Sequence, residues 1–260
     1  MKSTGTRGRR FTVVITGGAS GIGLATAKRV IAAGGYAAVL DLDGARADAA
    51  RRKLGPRARA AACDVTDEAS LRAAVTNATK GAPPVTGLVC AAGCPPSRKP
   101  LETMDLEQWS RVVDTHLKGT MLACRVVGPA MARRGRGAIV TVSSVTAERP
   151  GPALDYSAAK AGVANLTQAL AAHWGAKGVR VNAVAPGWTD TPFIRQKGRD
   201  RAPIVAAMPI GRLIEPEEIA EVIWFLLSPA SSAIIGSFIP CDGGYMAAAG
   251  WAPYGGFPRS

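Results

Sequence analysis

The chain has 260 residues, 47% of them hydrophobic, 20% charged and 5% aromatic, with a formal net charge of +13. This length buries a core without disulfides, and the five cysteines (an odd number, with no paired spacing) argue against a disulfide framework or structural zinc site and for a reduced, cytoplasmic chain. The basic excess is scattered and poor in aromatics, which reads as solvated faces rather than a nucleic-acid platform; no apolar run is long enough to span a membrane, and the basic segment 1–10 leads into no signal-peptide core.

Short apolar runs alternate with helical periodicity. Phe11–Thr16 predicts a strand ending in a glycine cluster, and 21–34 a helix carrying Ile22, Leu24, Ala25, Val30 and Ile31. Strands are predicted at Ala37–Leu40, Arg59–Ala62 and Val85–Cys90, with helices over 44–54 and 67–79. The repeat of Leu106, Trp109, Val113 and Leu117 predicts one long helix running to about Met131. A strand at Ala138–Ser143, a helix over 155–174 and a strand at Val179–Val184 follow. Pro216–Leu227 reads as a helix with proline in its first turn, and Phe238–Pro240 as a last short strand. Repeated β-α-β units with near-continuous apolar strands imply an α/β fold: one Rossmann-type, doubly wound parallel sheet with helices on both faces. One domain is expected over 1–260, with a basic tail at 1–10, a substrate lid at 188–210 and a C-terminal tail at 245–260. Trp251, Tyr254 and Phe257 in that tail predict packing on this or a neighbouring subunit.

Thr16-Gly17-Gly18-Ala19-Ser20-Gly21-Ile22-Gly23 lies between a predicted strand and a predicted helix, the setting that separates a dinucleotide fingerprint from a chance glycine run. Gly17 permits the sharp turn, Gly21 lets backbone approach a pyrophosphate, and Gly23 lets the helix pack close to the strand. The N–H groups around Ser20, Gly21 and Ile22 and the helix dipole then receive the anion. Asp41, 18 residues after Gly23, ends the second strand, where a carboxylate accepts from the adenosine ribose hydroxyls and repels a 2′-phosphate. Leu42 and Ser20 put no cation at the two favoured spots for such a phosphate, so NAD is expected rather than NADP, although Arg46 lies only five residues on.

These residues carry a resemblance to a known family. Thr16–Gly23 resembles the TGxxxGxG motif of the short-chain dehydrogenase/reductase family in its single-domain form, and Tyr156-Ser-Ala-Ala-Lys160 resembles its YxxxK pair. Cys63-Asp64-Val65 is similar to the segment that holds the adenine, which implies Asp64 on the amino group and Val65 stacked nearby. Ala91-Ala92-Gly93 stands where the family has Asn-Ala-Gly. Val179–Asn182, Pro186-Gly187-Trp188-Thr189-Asp190-Thr191 and Asp242-Gly243-Gly244 match further signatures, so the likeness covers about residues 10–245. It implies cofactor contacts from Pro186 and Gly187 along the nicotinamide, with Thr189 and Thr191 on its carboxamide.

Tyr156 and Lys160 are four apart and so share one helix face. Bringing a phenol from about 10 to near neutrality requires about 4 kcal/mol of differential interaction, which Lys160 and a positive nicotinamide ring are expected to supply. Tyr156 would then be the general base for alcohol oxidation or the acid for ketone reduction. The resemblance also assigns a strand-end serine to the substrate oxygen. Ser144, 12 residues before Tyr156, is preferred to Ser143, which the commoner family spacing selects; neighbours on a strand face opposite ways, so only one serves. The family's catalytic asparagine in the long helix is replaced by His116. It would act through its carbonyl or as a neutral imidazole, or else stand as a buried histidine that alters packing.

Cys94, Leu154, Trp188 and Phe193 are the expected substrate walls, and Arg195, Lys197, Arg199 and Arg201 are basic residues placed to attract an anion. The expected function is an NAD-dependent oxidoreductase interconverting a small secondary alcohol and a ketone, without a metal, and assembled as a homotetramer as is common in the family. The rivals are an NADPH-dependent 3-oxoacyl-thioester reductase and a non-catalytic cofactor-binding scaffold.

Overall fold

A computed structural model describes residues 10–195 and 200–250. The segment 1–9, Lys197 and Arg199, and Trp251, Tyr254 and Phe257 lie outside the described residues, so the expectations placed on them are not addressed.

The strands are β1 (Thr12–Thr16), β2 (Tyr36–Asp41), β3 (Ala58–Ala62), β4 (Val85–Cys90), β5 (Gly137–Val142), β6 (Val179–Pro186) and β7 (Phe238–Cys241). They form one parallel sheet in the order β3-β2-β1-β4-β5-β6-β7. Helices α1 (Gly21–Ala32), α2 (Gly44–Leu54), α3 (Glu68–Thr79), α4 (Leu106–Val113), α5 (Gly119–Arg133), α6 (Leu154–Gly175), α7 (Ala202–Ala206), α8 (Pro216–Leu227) and α9 (Tyr245–Ala248) complete the chain.

Alternation along each strand sends its apolar side chains into two cores. Val13 and Ile15 join Ala27 and Val30 of α1 and Ile219 and Ile223 of α8 on one face. Val14 joins Leu71 of α3, Leu122 and Met131 of α5 and Trp174 of α6 on the other. Both faces are therefore buried, which is why the strands read as continuous hydrophobic runs rather than as alternating ones.

β1 has β2 on one side and β4 on the other, so the chain reverses direction across the sheet there. The crevice above the carboxyl ends of β1 and β4 is the switch point where open α/β sheets bind ligands. Thr16 and Cys90 face each other across that crevice.

The single helix expected from Leu106 to Met131 is interrupted. Between α4 and α5 the segment Asp114–Lys118 forms a π turn. The hydroxyl of Thr120 donates to the His116 carbonyl at 2.7 Å, and a Cβ on Gly119 would lie 2.8 Å from Val65, so the helix is pressed onto the segment that follows β3 at this point. Hydrophobic spacing continues unbroken through a one-residue widening, and π turns of this kind concentrate at functional sites.

Candidate active site

The switch point opens into a cleft of about 800 Å³. At one end lies the glycine turn. Gly17 (φ 64°) and Gly21 (φ 49°) both adopt the left-handed region that glycine alone enters freely. A Cβ on Gly17 would stand 2.7 Å from the Ala91 carbonyl oxygen, so the turn fits against β4 only with glycine. Ala91 and Ala92 donate back to the Thr16 carbonyl and hydroxyl at 3.2 and 3.4 Å, which holds the Ala91-Ala92-Gly93 segment over the end of β1.

Helix α1 starts here without a side-chain cap from Ser20, whereas α2, α3 and α4 are capped by Asp43, Asp67 and Asp105. An uncapped helix N-terminus behind a glycine turn that no Cβ would fit is a cradle for a phosphate group, so the residues present fit a dinucleotide.

Farther along, Asp41 is buried at the end of β2. Its Oδ2 accepts from the Ala19 N–H at 3.2 Å, and its Oδ1 accepts from the Asp43 N–H at 3.3 Å and from the Arg46 guanidinium at 2.6 Å. Arg46 thus places a cation on this carboxylate, which the residues Leu42 and Ser20 alone did not suggest. Asp64 is half-buried and its Oδ1 accepts from both the N–H and the hydroxyl of Thr66 at 2.8 Å. Leu42, Asp64 and Val65 line this end of the cleft, as do Ser20, Ile22 and Gly23.

At the other end lie Ser144, Tyr156 and Lys160. The Ser144 side chain stands close enough to the Tyr156 phenol to favour its charged form. The Ser143 hydroxyl instead donates to the Lys160 carbonyl at 2.9 Å, so the two serines are turned to different partners. The Lys160 ammonium donates to the Val142 carbonyl at 2.7 Å and stands 5.5 Å from the centre of the Tyr156 ring.

The acidity of Tyr156 departs from expectation. Burial pushes the phenol up to about 12, and Ser144 is the one group here that pulls it down. Lys160 itself is lowered to about 8 by burial, its charge committed to Val142 and favoured by nearby Cys90 and Cys94. The protein's own groups therefore make Tyr156 a weaker acid, not a stronger one, because desolvation of the phenolate outweighs its single polar contact.

His116 is buried on the π turn, its ring edge-on to Tyr156 at 5.1 Å between centroids. Nε2 lies 3.0 Å from the Cys94 carbonyl oxygen and 3.2 Å from the Cys94 nitrogen, while Nδ1 has no partner among the described residues. A Cβ on Gly93 would fall 2.6 Å from the ring, so that glycine makes room for the imidazole. Burial first, and then the Lys160 charge, push His116 down to about 3; the Cys94 carbonyl opposes them.

The ring is thus neutral when folded at every pH where an unfolded histidine, near 6.5, takes up a proton. Stability from this group is full above about 6.5 and is lost as the pH falls toward 3. His116→Asn is expected to flatten that acid loss. Thermal melts from pH 7 down to pH 4 should show a shallower decline than wild type, and parallel curves would contradict it.

Pro186 and Gly187 line the middle of the cleft. A Cβ on Gly187 would lie 2.8 Å from the Asp242 backbone. Thr189 and Thr191 are buried, with hydroxyls donated to the Gly187 and Thr189 carbonyls at 3.2 and 3.4 Å. Thr191 also packs against Gly21, where a Cβ would lie 3.2 Å from its methyl group.

Cys94, Trp188 and Phe193 line the substrate end, with the Phe193 ring 5.8 Å from that of Tyr156. Leu154, expected there, is not among the lining residues. As the first residue of α6 it points outward and is 40% exposed. Arg195 and Arg201, expected to attract an anion, instead meet one carboxylate: Arg195 pairs with Asp190 at 2.8 Å and Arg201 lies 3.6 Å from the same group.

Sequence reading missed Asp155, whose buried carboxylate accepts from the Ser97 and Tyr156 N–H groups at 2.7 Å each and ties the loop after β4 to the start of α6. It also missed Arg98, Arg111 and Arg149, which line the substrate end. Two of them follow the carboxyl ends of β4 and β5, a position that by itself marks ligand-facing loops. Among the described residues no cluster of three or more metal-ligating side chains occurs, and no helix is long and apolar enough to cross a membrane.

A family described as enoyl-(acyl carrier protein) reductase matches the chain over residues 17–246. The chain is 43% identical over 238 residues to cis-4-hydroxycyclohexanecarboxylate dehydrogenase of Sinomonas cyclohexanicum, covering 90% of this chain and 96% of that protein. It is 40% identical over 239 residues to galactitol 2-dehydrogenase (L-tagatose-forming) of Cereibacter sphaeroides, covering 89% and 93%. The solved structure of a levodione reductase superposes with a TM-score of 0.87 at 32% identity, over 92% of this chain and 98% of that one.

Proposed function

The chain belongs to the short-chain dehydrogenase/reductase family, and from that premise we propose that it interconverts a small secondary alcohol and a ketone with NAD, Tyr156 being the general acid/base. The observation that carries this reading is Ser144, Tyr156 and Lys160 lining one cleft whose other end is an uncapped glycine cradle. The names of the two relatives, each a dehydrogenase of a hydroxylated compound, support an alcohol as substrate.

The cradle of Gly17, Ser20, Gly21, Ile22 and Gly23 would take the pyrophosphate, Asp41 the adenosine ribose, and Asp64 and Val65 the adenine. Ala91, Ala92 and Gly93 floor the cleft between its ends, and Pro186, Gly187, Thr189 and Thr191 would face the nicotinamide and its carboxamide. When bound, the dinucleotide accepts or gives the hydride and, in its oxidised form, carries a positive charge.

An alcohol oxygen placed between Ser144 and Tyr156 would donate to one hydroxyl and accept from the other. In oxidation the alcohol proton passes to the Tyr156 oxygen as the carbon loses hydride; in reduction the phenol returns it to the carbonyl oxygen. Lys160 holds its ammonium 5.5 Å from the centre of the Tyr156 ring. Its bond to Val142 fixes the ammonium in place, so no reorganisation is needed. His116 walls the ring of Tyr156 as a neutral imidazole, with Nδ1 as the free position for a polar partner.

NAD is favoured because the Asp41 carboxylate, buried and already accepting from Ala19 and Asp43, presents negative charge where a 2′-phosphate would sit. Arg46 opposes this from the outer side but is tied to that carboxylate. Reduction of NAD and NADP by cyclohexanol is the test. NAD is expected to be the better cofactor, and Asp41→Ala is expected to narrow the preference by about 10- to 100-fold, the range of a hydrogen bond to a charged group. Equal use of the two cofactors by wild type, or an unchanged ratio in the variant, would contradict the assignment.

A further inference from the structure

The charge lining the cleft is divided. Its acidic members, Asp41 and Asp64, are both at the adenosine end, while Arg98, Arg111 and Arg149 stand around the end that holds Ser144 and Tyr156. Arg111 contacts the Gln108 side chain. The guanidinium groups of Arg98 and Arg149 make no hydrogen bond or ion pair with a described residue. Elsewhere in the chain Arg46, Arg72, Arg195 and Arg212 are each held by a carboxylate.

Both arginines rise from anchored backbone. The loop of Arg98 is fixed by the Ser97 N–H on buried Asp155 at 2.7 Å. The Arg149 N–H donates to the Val145 carbonyl at 2.9 Å, and the loop closes where the Gly151 N–H meets the Ser157 hydroxyl at 3.3 Å. Three residues before Arg149, Thr146 also lines the cleft, and its buried hydroxyl has no partner among the described residues. A buried hydroxyl left unpaired is unfavourable, and an acceptor on a bound molecule would satisfy it.

We propose that the substrate carries an anionic group, a carboxylate or a phosphate, held between Arg98 and Arg149 with the Thr146 hydroxyl as an added donor. That the anion belongs to the reacting alcohol or ketone rests on the function proposed above. Guanidinium forks match both anions in plane and give paired charge-assisted bonds, which a neutral alcohol does not offer. The cofactor's pyrophosphate is served by the cradle at the opposite end and does not account for these arginines.

The test is calorimetric titration of the protein saturated with NAD, using benzoate, its uncharged counterpart benzamide, and phenyl phosphate. Benzoate or phenyl phosphate should bind at least about tenfold tighter than benzamide, and the tighter of the two identifies the anion. The advantage should shrink with salt and fall to near parity in the Arg98→Gln/Arg149→Gln double variant, whereas Arg149→Lys should keep part of it. Parity in wild type, or an undiminished advantage in the double variant, overturns the proposal. Cyclohexanol oxidation by wild type separates the two readings. Oxidation without anion preference removes the arginine site alone. Anion preference without oxidation of any alcohol removes the dehydrogenase reading and leaves the site.

Discussion

Tyr156→Phe is expected to lower kcat for alcohol oxidation by about 10²- to 10⁴-fold, the range of a positioned acid/base, with little change in dinucleotide affinity. The substitution removes one oxygen and keeps the ring that packs edge-on to His116 at 5.1 Å and against Phe193 at 5.8 Å. Cleft shape is therefore retained, and lost turnover reports on the proton. Ser144, the one group that favours the phenolate, still accepts from the Thr146 N–H at 3.2 Å in the variant. NADH formation under saturating alcohol is the readout. A variant within a few-fold of wild type would remove Tyr156 from the chemistry.

Gly23→Ala is the second large effect. A Cβ there would sit 2.3 Å from the Gly17 carbonyl oxygen and 2.9 Å from its carbon, both backbone atoms that no rotamer change can move. The start of α1 would have to withdraw from the turn it packs on, separating the helix N-terminus from the glycines that complete the cradle. Overpacking of this kind costs about 1–3 kcal/mol, and with about 2–4 °C per kcal/mol in a chain of this size the melting temperature should fall by roughly 2–12 °C. Dinucleotide affinity should fall with it by about tenfold or more, since the anion site is the part that moves. Gly175→Ala is the control: a Cβ there meets nothing within 4 Å, in a helix that alanine favours. Equal behaviour of the two variants would contradict the packing argument.

Much of the sheet was legible because its strands are buried on both faces. Val13, Val14 and Ile15 leave little doubt about β1, and the glycines that follow mark the turn by their backbone needs rather than by composition. The pairing of Tyr156 with Lys160 follows from helical spacing alone. The two strand-end serines turn to different partners, as alternation along a strand requires, with Ser143 donating to the Lys160 carbonyl and Ser144 acting on the Tyr156 phenol.

Other features depend on groups far apart in the chain. The acidity of Tyr156 is set by how completely the fold dries the phenol, which spacing does not encode. Arg98 and Arg149 are 51 residues apart and become neighbours of the same cleft only because β4 and β5 are adjacent. The π turn hides within an unbroken hydrophobic repeat, and Leu154 was assigned to the cleft when its place at the first turn of α6 turns it away. Arg46 is close to Asp41 in sequence, but only the folded turn shows the guanidinium on the carboxylate at 2.6 Å.

The central claim is that the Tyr156 oxygen carries the substrate proton and that a positive charge brought by the oxidised cofactor overcomes the burial that raises its pKa. Ultraviolet difference titration of phenolate, wild type minus Tyr156→Phe, measures this with and without NAD. The account predicts no Tyr156 ionisation below pH ~10 in the protein alone, because burial pushes it to about 12, and ionisation well below pH ~10 once NAD is bound. A Tyr156 signal that NAD leaves in place would contradict it.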